Sequence, residues 1–428
     1  MTDQQPQGMS RLAYVLAASL LVAHPANAQQ SPVDRIIHSA GYKAAAAALD
    51  AGHDRWVEEV IRITEIPSPP FKETVRAKAF ADMLRGRGLD PQIDELGNVL
   101  ALRKGTAAGP VVVVSAHLDT VFPAGTNVKV RREGNRLYAP GVGDDSSGLA
   151  TMLALIDAMN AGRIKTRSDI LFVGTLGEEG PGDLRGVRHL FTKGAYAGRI
   201  GAFYSLDGSG MDEITTQGVG SKRYRVHFKG PGGHSFGAFG IVNPMGALAT
   251  TVTELYKLQV PSDPKTTYSA SVIGGGTSVN SIPEEVWLEV DMRSVSAAEL
   301  AKLEAQFLAI LPRAVAAENQ ARSTKSGMVS VKLEPIGDRP AGRTPANADI
   351  IRFARDAYRA EGIVMKESAS STDANLPMSL DIPAVTMSRV AEGGRAHAPD
   401  EWVAVDKAPN VKLKRILLAA ILAAAGTP

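Results

Sequence analysis

The sequence predicts an α/β fold: a body with a mostly parallel central sheet flanked by helices, interrupted by a smaller inserted α+β domain of ferredoxin-like type. Three observations predict it. Between residues 111 and 207, apolar β-branched runs alternate with helical stretches, the pattern of strands covered on both faces. Near residues 218–220 the texture changes to alternating runs such as "KRYRVHFKG", which suit a sheet with one open face. After residue 348 the first texture returns, so the smaller unit interrupts the larger. At 428 residues the chain is also too long for one ordinary core.

The elements follow in order. Arg11 precedes the apolar run "LAYVLAASLLVA" (12–23), and Ala26 and Ala28 form an A-x-A site. Residues 1–28 therefore read as a signal peptide, with translation starting at Met1 or Met9 and the mature chain near Gln29, periplasmic or secreted. The first part of the body, 29–218, holds strands "VVVVSA" (111–116), "DILFVGTL" (169–176) and "GAFYSL" (201–206), with a helix over 148–160. The insert, 219–336, reads β-α-β-β-α-β: "KRYRVHFKG", a helix over 244–258, "TYSASVIGG", "EEVWLEVDMRS", a helix over 296–312 and "MVSVKLEPI" (328–336). The Gly/Pro-rich "GDRPAGRTPANA" (337–348) reads as a linker. The second part of the body, 337–428, adds the helix "IIRFARDAYRA", the strand "AVTMS" (384–388) and a closing buried or amphipathic helix. Its apolar end, "ILLAAILAAAG" (416–426), is too short to span a bilayer, so no membrane span is expected in the mature chain.

Composition excludes several classes. With 44% hydrophobic and 21% charged residues the chain is an ordinary globular one. A net charge of +2, mixed signs and no basic stripe give no case for nucleic acid. There is no cysteine. Any metal site must therefore be built from His, Asp and Glu, and no disulfide framework exists.

Acids and imidazoles recur where strands end. His117 follows "VVVVSA", and Asp119 lies two residues on, on the same side of an extended chain. A carboxylate there can take one imidazole N–H and aim the other nitrogen at a metal, although such a pair also fits a purely structural role. "APGVGDDSSG" brackets Asp144 and Asp145 with glycines at a helix entrance; Asp145 or Ser146 suits the N-cap, leaving Asp144 unexplained. "LFVGTLGEEG" ends an inner strand in two adjacent carboxylates, Glu178 and Glu179. Asp207 in "SLDGSG" and His397 in "GGRAHAPDE" complete the set. His38 and His53 read as solvated residues of polar helices and His227 as a surface residue; His189 has no assignment. Five acids and imidazoles gathered at strand ends need a compensating cation. An N/O donor set suits zinc, with cobalt or manganese as substitutes, and five candidates exceed the three ligands of a single catalytic zinc. With Glu179 as a ligand, Glu178 stays free to act as general base, which gives two adjacent carboxylates two roles.

Together these segments resemble the dizinc peptidase and amidohydrolase family that includes glutamate carboxypeptidase, peptidase T, carnosinase-type dipeptidases, aminoacylase and acetylornithine deacetylase. The ordered set "HLDTV", "GVGDDSSG", "GEEG", "SLDG", "GGHS", "GGTSVNSIP", "DMRS" and "HAPDE" carries the resemblance over nearly the whole mature chain. It implies that the insert is a lid and dimerisation domain. It implies two Zn2+ (Co2+ or Mn2+ as alternatives), with His117 and Asp207 on one, Glu179 and His397 on the other, and Asp144 bridging. Asp119 would orient His117, Glu178 would be the base, and a cis peptide would join Asp144 to Asp145. His234 of "GGHS" would cross a homodimer interface to polarise the scissile carbonyl, and Asn280 and Arg293 would contact substrate. Many relatives carry a lysine two residues after the bridging aspartate; Ser146 stands there in this chain. Asp at position 207 is similar to the aminopeptidase and dipeptidase branches. The expected activity is thus hydrolysis of amide bonds in small peptides. The alternatives are an N-acyl amino acid amidohydrolase, a carboxypeptidase, or a non-catalytic binding protein on the same scaffold. A serine hydrolase built on "GDDSSGLA" is not expected, because that segment lacks a G-x-S-x-G elbow.

Overall fold

The computed structural model describes residues 30–427, so the expected signal segment, 1–28, lies outside the described residues. Labelled strands of the body are β1 (Val99–Arg103), β2 (Val111–His117), β3 (Ile170–Thr175), β4 (Ile200–Leu206) and β5 (Glu213–Gly218). Those of the insert are β6 (Gly220–Lys229), β7 (Gly233–His234), β8 (Thr266–Gly275), β9 (Ser281–Ile282), β10 (Glu285–Ser294) and β11 (Ser330–Arg339). The chain then returns to the body with β12 (Lys366–Ser370) and β13 (Ala384–Met387). The body is built on a nine-stranded sheet. At its centre β3, β2, β4 and β13 lie side by side, all parallel, so their carboxyl ends share one edge. β1 pairs antiparallel with β3, and β5 antiparallel with β13.

Alternation along the inner strands explains why both faces are covered. Val112, Val114 and Ala116 of β2 enter the core formed with helices α1 (Ala40–Ala51), α2 (His53–Thr64), α3 (Thr74–Arg85), α4 (Ser146–Ala161) and the closing helix Lys407–Ala425. Val111 and Val113 point the other way, into the core formed with helix Arg185–Thr192. Every residue of β2 and β3 is buried, which is why these strands read as unbroken apolar runs. The closing helix is buried from Ile416 to Ala423, and no described helix is long and apolar enough to cross a membrane.

The insert forms an antiparallel sheet in the order β8-β10-β6-β11. Val226, Phe228, Leu288 and Val290 of that sheet pack on Leu248 of the helix Pro244–Leu255 and on Leu303 and Phe307 of the helix Ala297–Ala321. The other face carries ion pairs, among them Arg225 with Glu289. Two boundaries differ from the sequence expectation. The second of these helices runs through Pro312, because Ile310, Leu311 and Ala314 on either side of it are buried and packing outweighs the missing N–H. Strand β11 continues past residue 336 to Arg339, shifting register between Pro335 and Gly337. As an edge strand it tolerates the proline. The expected linker therefore begins as strand, and this carries Arg339 to the body.

His53 is a further correction. It is buried rather than solvated, its Nε2 lying 2.9 Å from the carbonyl of Val405, because the polar side chains of α2 occupy the opposite face of that helix. His38 is exposed, and His227 faces Glu285 and Glu334 at 2.6 and 3.1 Å.

Candidate metal centre

The carboxyl ends of β2, β3 and β4 deliver His117, Glu178/Glu179 and Asp207, and two loops add Asp144 and His397. Beyond β3 the chain turns through Gly177, whose φ is +66° and whose missing side chain leaves room for Arg185; the two glutamates follow at once. His397 itself adopts φ +68°, an uncommon backbone state for a residue with a side chain. The peptide between Asp144 and Asp145 is cis, as the resemblance implies.

His117 Nδ1 donates to the main-chain carbonyl of Asp119 (3.0 Å), which leaves Nε2 facing Asp144 Oδ1 at 2.9 Å. The carboxylate of Asp119 does not do this. It stands 3.8 Å from the ring and accepts the main-chain N–H groups of Glu178 (3.1 Å) and Glu179 (2.9 Å) instead. The expectation that this carboxylate orients His117 is corrected: a strand end brings the nearer backbone oxygen to the ring, and the side chain fixes the two glutamates. Asp145 likewise makes no side-chain cap. Its Oδ2 accepts the main-chain N–H of His117 at 2.8 Å, so it joins the helix start to the end of β2.

His397 Nε2 lies 3.1 Å from Asp144 Oδ2 and 3.0 Å from Glu179 Oε1. Potential ligand atoms gather within 4.8 Å of one another in three sets: His117, Asp144 and Asp207; Asp144, Glu179 and His397; and His117, Glu178 and Glu179. Asp144 is common to the first two, offering one oxygen to each. The two glutamates differ in partners. Glu179 faces an imidazole, whereas Glu178 accepts from Arg339 Nη1 at 3.0 Å.

The electrostatics suit a cation. Burial opposes charge on His117, yet Asp145, Asp144 and Asp119 raise its pKa well above the usual value. Bonds to Asp144 and Glu179 raise His397 to about 10. Burial pushes Glu178 and Glu179 up. Against burial, Arg389 and the two imidazoles hold Asp144 well down. Protons on both imidazoles thus sit between nitrogen and carboxylate oxygen at 2.9–3.1 Å. That is slightly less than the roughly 3.3 Å between two ligands of a tetrahedral zinc with bonds near 2.0–2.1 Å. Divalent ions replacing those protons fit both the donor chemistry and the spacing.

A cavity of about 590 Å³ opens over these groups. Asp144, Glu178, Glu179, Asp207 and His397 line one side and Arg223, Asp291, Arg293 and Arg339 of the insert the other. Asp291 accepts from Nε of both Arg223 (3.0 Å) and Arg293 (2.7 Å). Asn280 is not brought here. It lies with His234 in a separate cavity of about 580 Å³ on the insert, held there because β7 pairs with β9, setting His234 opposite Ser281. Asn280 and His234 therefore do not line the cavity over their own chain's acidic cluster.

Three residues were not singled out from sequence. Arg339 sits in a stretch that reads as linker, so only its place in a strand reveals it. Glu401 accepts from the main-chain N–H groups of Gly141, Gly143 and Asp144 at 3.0, 2.8 and 2.7 Å and so shapes the loop bearing Asp144. It lies four residues after His397 in "HAPDE", so that motif is the sequence signal for it. Arg389, two residues beyond β13, contacts Asp207. It has the same strand-end position that marks the acids, and a cation at that position is the signal that finds it.

A family profile described as "Peptidase family M20/M25/M40" matches residues 113–420. The Bacillus subtilis (strain 168) protein YqjE is 25% identical over 389 residues, 87% of this chain and 98% of that one. Among solved structures, aminopeptidase PepT from Bacillus cereus ATCC 10987 superposes with a TM-score of 0.70 at 20% identity, covering 87% of this chain and 99% of that one. The di-peptidase Dug1p of Saccharomyces cerevisiae gives 0.71 at 15%, covering 91% and 100%.

Proposed function

We propose, because this chain belongs to the peptidase family M20/M25/M40, that it is an exported hydrolase of amide bonds in small peptides, working with two divalent metal ions. The observation that carries this reading is the shared position of Asp144. It offers one carboxylate oxygen to His117 and the other to His397, while Glu178 stands beside the set with an arginine, not an imidazole, as its partner. His117 and Asp207 would hold one ion, Glu179 and His397 the other, and Asp144 both. Ions bound there supply Lewis acidity, neutralising the carboxylates and making water a competent nucleophile near neutral pH. Zinc suits the donors, with cobalt or manganese as substitutes.

Glu178 is the general base. Burial raises its pKa, which favours taking a proton from water at a side-chain oxygen and passing it to the departing nitrogen. Arg339 holds that carboxylate in place, and Asp119 fixes the backbone beneath it. Arg223 and Arg293 each spend only Nε on Asp291, so their remaining N–H groups can take a substrate carboxylate. His234 and Asn280 lie in the other cavity. They meet a reacting carbonyl only across a homodimer formed through the insert, and exposed Phe236 and Phe239 beside His234 suit such a contact. Hydrolysis of peptides outside the cytoplasm fits the N-terminal signal segment.

The test is a panel of free-amine di- and tripeptides against N-acetyl amino acids, with zinc, cobalt or manganese supplied to the metal-stripped protein. Turnover of the peptides is expected. Turnover confined to N-blocked substrates would overturn the peptide assignment, and no turnover of either would overturn the hydrolase assignment.

A further inference from the structure

Arg389 is almost fully buried, at 4% exposure, and its backbone is fixed on both sides. Its N–H donates to the Gly208 carbonyl (3.2 Å), and its own carbonyl accepts from Thr151 Oγ1 (2.9 Å). The guanidinium itself is buried, with a side-chain exposure of 5%. It touches three carboxylates: Nη1 meets Asp207 Oδ1, Nη2 is 3.5 Å from Asp144 Oδ1, and Nε is 3.3 Å from Asp145 Oδ1.

These contacts are one-sided. Asp207 Oδ1 also accepts the N–H of Gly208 (2.6 Å), so donors occupy that oxygen and Oδ2 is left for a ligand. Asp144 Oδ1, the oxygen facing His117, is the one near the guanidinium, while Oδ2 faces His397. The fixed positive charge thus belongs to the half of the centre containing His117 and Asp207. The half containing Glu179 and His397 has no arginine contact among the described ion pairs. Nor does a cation come from the start of the helix below: Ser146 is buried and its hydroxyl has no partner.

We propose that Arg389 is a resident counter-cation of the His117–Asp144–Asp207 half. It holds those carboxylates together when that half is metal-free, and it makes that half the weaker, more readily emptied of the two. The physical reason is that a guanidinium in contact with two of the three ligands already neutralises part of the charge an incoming ion would gain from. Arg389 is a positioning residue; it touches neither substrate nor the reacting atoms. The inference rests on the reading of both halves as metal sites.

The experiment uses the full mature chain, stripped with chelator and titrated with Co2+ and with Zn2+, following stoichiometry by calorimetry and coordination by the cobalt visible spectrum. Wild type is expected to bind two ions in steps separated by about tenfold or more. Arg389→Met should tighten the weaker step by about tenfold while lowering the melting temperature of the metal-free protein; outer partners that support a ligand cost about 10–100-fold in affinity when removed, and a competing cation reverses that sign. Arg389→Lys, which keeps the charge but not the fork, should stay close to wild type in both respects. Should the Met variant fold only when saturated with metal, the counter-cation role is supported. An unchanged weaker step in Arg389→Met overturns the inference. So does weakening in both variants, since that would make the planar fork, not the charge, what matters. Two equal steps in wild type remove this inference alone, whereas no bound metal removes the reading of the centre as well.

Discussion

Replacing Asp119 by Asn separates holding the glutamates from holding His117. In the structure the carboxylate accepts the N–H groups of Glu178 and Glu179, one on each oxygen, and is fully buried. Asn keeps one oxygen, so one bond survives as a neutral contact, and the other N–H faces an NH₂ donor. A charged hydrogen bond contributes about 1.5–3 kcal/mol and a neutral one about 0.5–1.5, so the surviving bond loses about 1 kcal/mol. The stranded N–H adds about 1–3 kcal/mol. The total, about 2–4 kcal/mol, should lower the melting temperature by about 2–5 °C in a chain of this size. Because the same two amides set the position of the base, kcat should fall by about 100-fold, the effect of moving a reacting group by about 1 Å, with KM changed far less. Thermal unfolding and steady-state kinetics on a dipeptide substrate measure both. A variant that melts within about 1 °C of wild type and keeps its kcat would refute the reasoning, since the carboxylate would then be holding nothing that matters.

Four further outcomes are expected. Glu178→Gln should retain metal and melting temperature while losing turnover by about 10²–10⁴-fold, read by metal analysis beside the activity assay. Mixing Glu178→Gln with His234→Ala subunits should restore about a quarter of wild-type activity, because half of randomly formed dimers are mixed and each holds one intact site; no recovery on mixing would remove the trans role of His234. Gly148→Ala should destabilise by about 1–3 kcal/mol, as its Cβ would lie 2.6 Å from the Leu206 carbonyl and close against Asp145; denaturant titration reads this directly. Lys414 is buried beneath the ring of Trp56, 3.5 Å from its centroid, and burial holds its pKa well below 10.5. Between that depressed pKa and 10.5 the unfolded chain binds one more proton than the folded one, so wild-type stability should rise as pH climbs towards 10.5. Lys414→Met should add about 1 kcal/mol or more at pH 7 and flatten the slope, so parallel melting curves from pH 7 to 10 would contradict this.

The parallel core was legible because residues on both faces of β2 and β3 are buried, which writes an apolar run into the sequence. The insert was legible for the opposite reason: one face of β10 is buried and the next residue is not, which writes alternation. What local pattern could not carry was the end of β11. Pro335, Gly337 and Pro340 are turn signals in isolation, and only pairing with β6 keeps the chain extended to Arg339. The extension of the helix past Pro312 was hidden in the same way, since burial on both sides of the proline is a property of the packed insert. His53 was misjudged because its polar neighbours in sequence lie on another face of the helix.

At the site, the acids and imidazoles were legible because charge at the end of an apolar strand is costly unless something balances it, and each such position called for an explanation. The partners that hold them were not, except that Asp119 reads from sequence with His117 as its target. Asp119, Arg339, Arg389 and Glu401 act across separations of 59 to 260 residues, and no spacing rule connects them to their targets. Their identities still follow a single physical logic. Two of them are acids that collect backbone N–H groups, Asp119 under the glutamates and Glu401 under the Asp144 loop, so their charge goes into geometry. The other two are arginines placed against carboxylates, Arg339 on Glu178 and Arg389 on Asp207, so their charge offsets a burial that one strand end alone could not sustain. An assembly of this kind should stay folded before its ions arrive. That is why removing one arginine should show itself first in the metal-free protein, and only afterwards in the rate.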